Sequence, residues 1–156
     1  MKPRVYVETT IVSYLAALPS RDIVLAGHQE LTREWWGQRN RFDLFVSQAV
    51  VDETARGNTV AASRRLALLA GIPLLAIGSE ADELANRLLR GNVVPGKATV
   101  DALHIAIAAV NRVNYLVTWN CTHIANAAIR GKIEQTCRGA GLQAPIICTP
   151  EELLEA

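Results

Sequence analysis

Asp101 is the residue whose surroundings point most directly to chemistry. It stands near the start of segment 99–110, in which nearly every other residue is apolar. A helix that is apolar all round is buried, and a carboxylate on a buried helix is costly unless it is paired, hydrogen-bonded or bound to a cation. The alternative is that Asp101 only serves the dipole of the helix N-terminus, where acidic residues are common.

Two further acids come after predicted strands. Glu8 directly follows the apolar run 5–7, and Glu53 follows the run 44–46 by a short segment. Taken alone, Glu53 is best explained as a partner of a helix dipole. Together with Asp101, however, the glutamates form a set of three acids from separate segments. Converging carboxylates repel one another unless a hard cation such as Mg²⁺ or Mn²⁺ neutralises them, and such an ion activates water for attack on a phosphodiester.

The elements that would position these acids alternate between short strands and helices. Strand-like runs are predicted at 5–7, 44–46, 74–77, 115–117 and 145–148, and the run 74–77 is expected to be buried. Helical segments are predicted from 11 onward, at 28–40 (with Asp22 or Ser20 as its cap), from 50 onward, at 61–70, from 79 onward, at 99–110 and at 125–137. We therefore predict an α/β fold of three layers, α/β/α, with a central and mostly parallel sheet of about four or five strands.

The position of the acids follows from a general property of such sheets. In an open parallel sheet, ligands bind beyond the carboxyl ends of the strands, where loops meet the starts of helices. Glu8 lies at the end of the first strand, Ser47 and Gln48 at the end of the second, and 118–120 at the end of the fourth. This edge is therefore where the sequence predicts the site.

The composition indicates a globular protein and excludes several other classes. Half of the residues are apolar and a fifth are charged, which is typical of a globular protein, and the length of 156 residues predicts a single domain over 1–156. No apolar stretch approaches the roughly 20 residues of a membrane span and no signal peptide is expected, so we predict a cytoplasmic protein without membrane contact. Cys121, Cys137 and Cys148 are too few and too widely spaced for a disulfide framework or a zinc knuckle. The net charge of +1 gives no global electrostatic signal for nucleic acid.

Four short motifs follow one another along the chain: VETTI at 7–11, SQAVVDE at 47–53, DALHIA at 101–106 and LVTWN at 116–120. In their order and spacing they resemble the PIN domain family, specifically its VapC-like toxin branch, over nearly the whole chain. The resemblance implies a metal-dependent endoribonuclease that hydrolyses RNA phosphodiesters with a metal-activated water, using Mg²⁺ or Mn²⁺. It further implies the toxin of a toxin–antitoxin pair.

The resemblance also implies the site residues. It places metal-binding and catalytic acids at Glu8, Glu53 and Asp101, and a further catalytic position at Asn120. Glu8 stands where the family usually has aspartate, and Asn120 stands where it often has a fourth acid. An amide can ligate a metal or hold a water but brings no charge, so one tightly held ion is expected rather than two.

Hydroxyl and imidazole groups accompany these acids. Thr9 and Thr118 resemble positions that hydrogen-bond carboxylates or metal waters, although a role as strand-end turn residues fits equally well. His123 could contact a phosphate or transfer a proton, with a structural hydrogen bond in the loop as the alternative. His104 lies one turn from Asp101 on the apolar helix and is expected to be a core histidine with satisfied hydrogen bonds.

The partners implied by the resemblance are RNA, an antitoxin protein and a second copy of the chain. The adjacent residues Trp35 and Trp36 cannot both face one core on a helix, so one is expected at the surface or at an interface. The alternative function is a catalytically weak PIN-like module that binds RNA or protein without cutting, and the departures at Glu8 and Asn120 support it. A flavodoxin-like regulatory domain is less well supported, because it would need a pair of acids after the first strand.

Overall fold

The computed structural model describes residues 1–155 and has a parallel sheet at its centre. Its strands are β1 (Arg4–Val7), β2 (Asp43–Ser47), β3 (Leu74–Leu75), β4 (Tyr115–Val117) and β5 (Ile146–Cys148). They are hydrogen-bonded in the order β3-β2-β1-β4-β5, and all four neighbouring pairs are parallel.

Helices flank this sheet and complete a three-layer α/β/α arrangement, which confirms the predicted fold class. Within residues 1–155 they are α1 (Thr9–Ala16), α2 (Ile23–Gly37), α3 (Gln48–Thr54), α4 (Thr59–Leu68), α5 (Ser79–Arg90), α6 (Thr99–Val110) and α7 (Ala127–Gly139). Short 3-10 turns occupy Arg39–Arg41 and Pro150–Leu153. Every helix of the described residues falls short of the length and apolar character that a bilayer crossing would require.

The core is centred on β1 and α6. Val5, Tyr6 and Val7 are all fully buried. Since successive side chains of a strand point to opposite faces, the sheet is covered on both sides at β1. The helix α6 is buried along most of its length, from Ala102 to Ala109 with Leu103 excepted, as its apolar sequence predicted.

Some local predictions are corrected by the structure. The run 74–77 is not buried: Leu74 and Ile77 are 55% and 37% exposed, and only Leu75 packs into the core. The physical reason is that β3 is a two-residue strand at the edge of the sheet, with a neighbour on one side only. The helix expected at 28–40 begins earlier, at Ile23, while the prediction of Asp22 as its cap is confirmed, since the Asp22 carboxylate accepts hydrogen bonds from the N–H groups of Val24 and Leu25.

The strand order determines where a site can form. From β1 the chain winds outward through β2 and β3 on one side, and then through β4 and β5 on the other. The direction therefore reverses between β1 and β4, and a crevice opens beyond the carboxyl ends of these two strands. Glu8 and Thr118 are the residues that directly follow β1 and β4.

Candidate active site at the carboxyl edge of the sheet

Glu8 bridges the two strands at the crevice. Its backbone N–H donates to the carbonyl of Val117 (3.1 Å), and its side chain caps α1 by accepting a hydrogen bond from the N–H of Thr10 (3.1 Å). The hydroxyls of Thr10 (2.6 Å) and Thr118 (2.5 Å) both donate to its Oε1 atom. Glu8 is only 3% exposed, so these donors replace the water that a buried carboxylate loses.

Glu53 reaches the same place from α3. Its Oε1 atom accepts a hydrogen bond from the hydroxyl of Thr9 (2.6 Å) and lies 2.6 Å from Nε2 of His104. Burial raises the pKa of Glu53, but the hydrogen bonds from His104 and Thr9, together with the charges of His104 and Arg56, outweigh burial and lower the pKa below its usual value. The carboxylate is therefore ionised near neutral pH.

His104 connects Glu53 to a buried chain of hydroxyl groups. Its Nδ1 atom lies 2.7 Å from the hydroxyl of Tyr6, which in turn lies 2.7 Å from the hydroxyl of Ser47. The carboxylate of Glu53 can only accept, so Nε2 of His104 donates to it, and the hydroxyl of Tyr6 lies between His104 and Ser47 in a continuous chain of hydrogen bonds. Burial raises the pKa of Tyr6 well above its usual range, so its hydroxyl stays protonated and can act as a donor.

These contacts gather three possible metal ligands. Glu8, Glu53 and His104 each offer one ligand atom, and the three atoms lie within 4.8 Å of one another. Among residues 1–155, no lysine or arginine nitrogen lies within 4.0 Å of either glutamate carboxylate. The Oε2 atom of Glu53 accepts no hydrogen bond from any described residue. Two carboxylates without a paired cation fit a hard divalent ion, and Mg²⁺ and Mn²⁺ prefer oxygen ligands.

No protein-family model matches the chain, and no curated protein matches it. What the site can do therefore follows from its own geometry.

Asp101 lies beside this group and not within it. Its carboxylate pairs with Nδ1 of His123 at 2.9 Å, and both side chains are about one quarter exposed. Because Asp101 and His104 are three residues apart on α6, they lie on the same side of the helix. The Asp101–His123 pair therefore adjoins the cluster of Glu8, Glu53 and His104, which we call the glutamate cluster.

Asn120 and the two threonines bind the loops together. The side-chain amide oxygen of Asn120 accepts a hydrogen bond from the backbone N–H of His123 (3.0 Å), and the backbone N–H of Asn120 donates to the hydroxyl of Thr118 (2.9 Å). Thr118 donates to Glu8, and Thr9 donates to Glu53. Both threonines thus contact a carboxylate, whereas Asn120 contacts none and acts as a cap of the loop.

The sequence did not indicate that His104 and Tyr6 would join the site, whereas Ser47 was expected at this edge of the sheet. His104 was expected to be a satisfied core histidine, and both of its ring nitrogens do have partners in a fully buried position. One signal was present: Tyr6 is a polar group within the buried strand β1, and Ser47 ends the neighbouring strand β2. Polar groups on neighbouring buried strands need internal hydrogen-bond partners, and Tyr6 has them in Ser47 and His104.

Proposed function

We propose that the chain is a metal-dependent endoribonuclease of the PIN type and the toxin of a toxin–antitoxin pair. The observation that carries the proposal is the convergence of Glu8 and Glu53 at the β1–β4 crevice, where neither carboxylate pairs with a lysine or arginine of residues 1–155. Such a carboxylate pair is tolerated when a cation neutralises it. A bound Mg²⁺ or Mn²⁺ would supply a nucleophile from water and would stabilise negative charge on phosphate oxygens.

Some residues of the site would bind the cation, and others would orient the carboxylates that bind it. Glu8 and Glu53 would hold the cation. Thr10 and Thr118 fix the carboxylate of Glu8, while Thr9 and His104 fix that of Glu53. Partners of this kind orient metal-binding carboxylates, and losing them commonly costs about 10-fold to 100-fold in affinity or activity.

The Asp101–His123 pair would serve the substrate side of the site. It is partly exposed, so an RNA strand that approaches the crevice can contact it. The carboxylate of Asp101 accepts the Nδ1 proton of His123 and thereby orients the ring. We assign Asp101 to the reaction as the third acid and His123 to contact with the phosphate.

Incubation of the purified protein with a mixed RNA pool tests the proposal. We expect cleavage in Mn²⁺ that stops when a chelator is added, and sequencing of the products gives any preferred site. The variant Glu53→Gln should lose this cleavage. Asp52→Asn is the matched control, because Asp52 lies on the same helix, is exposed and bonds only Gln48. Cleavage that continues in chelator, or that is equal in Glu53→Gln and wild type, would contradict the proposal.

A module that binds RNA or protein without cutting is the second candidate. Two observations favour it. Asn120 brings no charge and acts as a loop cap, and Oε1 of Glu8 already accepts hydrogen bonds from two hydroxyl groups. This candidate predicts RNA binding that Mn²⁺ does not convert into cleavage. The RNA pool experiment therefore separates the two.

A protein partner is part of the same proposal, as an antitoxin or a second copy of the chain. Leu18, Ile23 and Val24 are 73%, 86% and 61% exposed where α1 leads into α2. Grouped apolar side chains on a surface commonly mark an interaction site. Trp36 adds a partly exposed ring further along α2, whereas its neighbour Trp35 is fully buried in the core.

A further inference from the structure

Three aromatic rings from separate elements lie with nearly parallel planes next to the glutamate cluster. They belong to Tyr14 of α1, His28 of α2 and Trp119, which follows β4. The centroids of His28 and Trp119 are 4.0 Å apart with planes at 13°, and those of Tyr14 and Trp119 are 5.9 Å apart at 12°. Tyr14 and His28 are separated by 6.4 Å at 22°. The three rings therefore form a continuous aromatic group.

This group is tied to Glu8 through short hydrogen-bonded links. Trp119 directly follows Thr118, whose hydroxyl donates to Glu8. The backbone N–H of Trp119 donates to the hydroxyl of Thr10 (2.8 Å), and that hydroxyl also donates to Glu8. Burial raises the pKa of Tyr14, and the charges of Cys121 and Glu8 add to this effect.

One ring of this group is held by a buried hydrogen bond, and the other two are partly exposed to solvent. The indole N–H of Trp119 donates to the hydroxyl of Thr32 (2.7 Å), which is itself fully buried, and Trp119 is only 9% exposed. Tyr14 and His28 are partly exposed. A rigid buried ring thus supports two rings that solvent or a ligand can reach.

We propose that Tyr14, His28 and Trp119 form a stacking surface that holds one nucleobase of single-stranded RNA beside the glutamate cluster. The inference rests on the proposed function and names the part of the RNA that the site would hold. Every nucleobase has a flat π face, and stacking on aromatic side chains is the usual way in which proteins hold unpaired bases. A base held here would place its strand close to Glu8, where the proposed chemistry takes place.

The test is RNA binding in chelator, where no cleavage is expected. The probe is a fluorescently labelled single-stranded RNA of mixed sequence, and a second series of the same RNA carries one abasic position at a time. Tyr14→Leu and His28→Leu remove one ring each, whereas Tyr14→Phe and His28→Phe keep a ring. Tyr115→Leu is the matched control, since Tyr115 begins β4 and lies at the opposite end of that strand from Trp119.

We expect each leucine variant to weaken binding roughly tenfold, the value typical for loss of one base–aromatic stack. The phenylalanine variants should recover most of the binding that the leucine variants lose, and Tyr115→Leu, which lies outside the stacking surface, should bind like the wild type. In the wild type, one abasic position should cost a similar factor, and that cost should disappear in the leucine variants. Leucine variants that bind as tightly as wild type would overturn the stacking surface. If a leucine variant fails to fold, the abasic series on the wild type decides, and a series with no sensitive position overturns the inference.

Failure of this inference is distinguishable from failure of the proposed function. Ring-dependent RNA binding without Mn²⁺-stimulated cleavage would leave the stacking surface in place and remove the nuclease assignment. Mn²⁺-stimulated cleavage together with leucine variants that bind RNA normally would keep the nuclease assignment and remove the stacking surface. A wild-type protein that binds no RNA would overturn both.

Discussion

Two carboxylate–histidine pairs, each with one member on α6, lie next to each other and differ in how far they are buried. The Glu53–His104 pair has a fully buried imidazole whose second nitrogen contacts Tyr6, and Glu53 is 25% exposed. The Asp101–His123 pair is exposed at both ends, by 22% and 27%. Burial with a complete set of partners fixes a side chain, whereas partial exposure leaves it able to meet a substrate. The same two functional groups can therefore orient a ligand in one place and contact RNA in the other.

The largest expected effect is on cleavage and comes from the exposed pair. Asp101→Asn removes charge but little volume, so we expect a loss of metal-stimulated RNA cleavage of roughly 1,000-fold with an unchanged fold. Cleavage rates and a circular dichroism melt measure the two effects. Asp82→Asn is the control, because Asp82 also lies in the first turn of a helix but is exposed. Undiminished activity in Asp101→Asn would remove Asp101 from the site.

The next largest effect is on stability and comes from the buried pair. His104→Ala leaves the hydroxyl of Tyr6 and the carboxylate of Glu53 without their partner, so the free energy of unfolding should fall by about 3 kcal/mol. His123→Ala should cost less than about 1 kcal/mol because its ring is partly exposed. Urea denaturation of the two variants gives both values. Equal losses in the free energy of unfolding would show that the difference in burial between the two pairs does not affect stability.

A smaller effect is expected at the link between β4 and Glu8. Thr118→Val keeps the shape of the side chain but removes its bonds to Glu8 and to the N–H of Asn120, which should cost about 1–2 kcal/mol. Thr136→Val on α7 is the control, since Thr136 is partly buried and loses only a bond to a carbonyl of its own helix. A Thr118→Val variant as stable as this control would mean that the hydroxyl contributes nothing.

The smallest effect concerns the pH dependence of stability. The pKa of Glu53 is lowered in the folded chain, so its ionised form stabilises the fold above its ordinary value of 4.5, and this contribution is lost as the pH falls through the lower folded value. The difference in unfolding free energy between wild type and Glu53→Gln should therefore narrow as the pH falls from 4.5 through the pKa of Glu53 in the folded chain. Denaturation curves at a series of acidic pH values measure the gap, and a gap that widens would refute the lowered pKa.

Much of this architecture could be predicted from the sequence because local pattern determined it. The apolar segment 99–110 corresponds to α6 and the run 115–117 to β4. In contrast, the burial of Leu74 and Ile77 depends on whether a strand lies at the edge or the centre of the sheet. An apolar run has the same appearance in both cases, so the prediction for this strand was wrong.

The placement of the two glutamates could be predicted from the sequence, but their hydrogen-bond partners could not. The rule for parallel sheets predicted that Glu8 lies at the carboxyl edge of the sheet, and Glu53 lies beside it there. Which residue of α6 meets Glu53 depends on the rotation of that helix against α3, and neither periodicity nor spacing determines that angle. His104 therefore contacts Glu53 while Asp101 contacts His123. His28 carried no signal in the sequence, because its contact with Trp119 arises only when α2 packs beside the end of β4.

Calorimetric titration of the purified protein with Mn²⁺ measures whether Glu8 and Glu53 together hold a cation, on which the proposed nuclease activity depends. We expect saturable binding of one tightly held ion by the wild type, its loss in Glu8→Gln and Glu53→Gln, and its retention in Asp52→Asn. Wild-type protein that takes up no Mn²⁺, or glutamine variants that bind it as tightly as wild type, would rule out a cation site at these two residues.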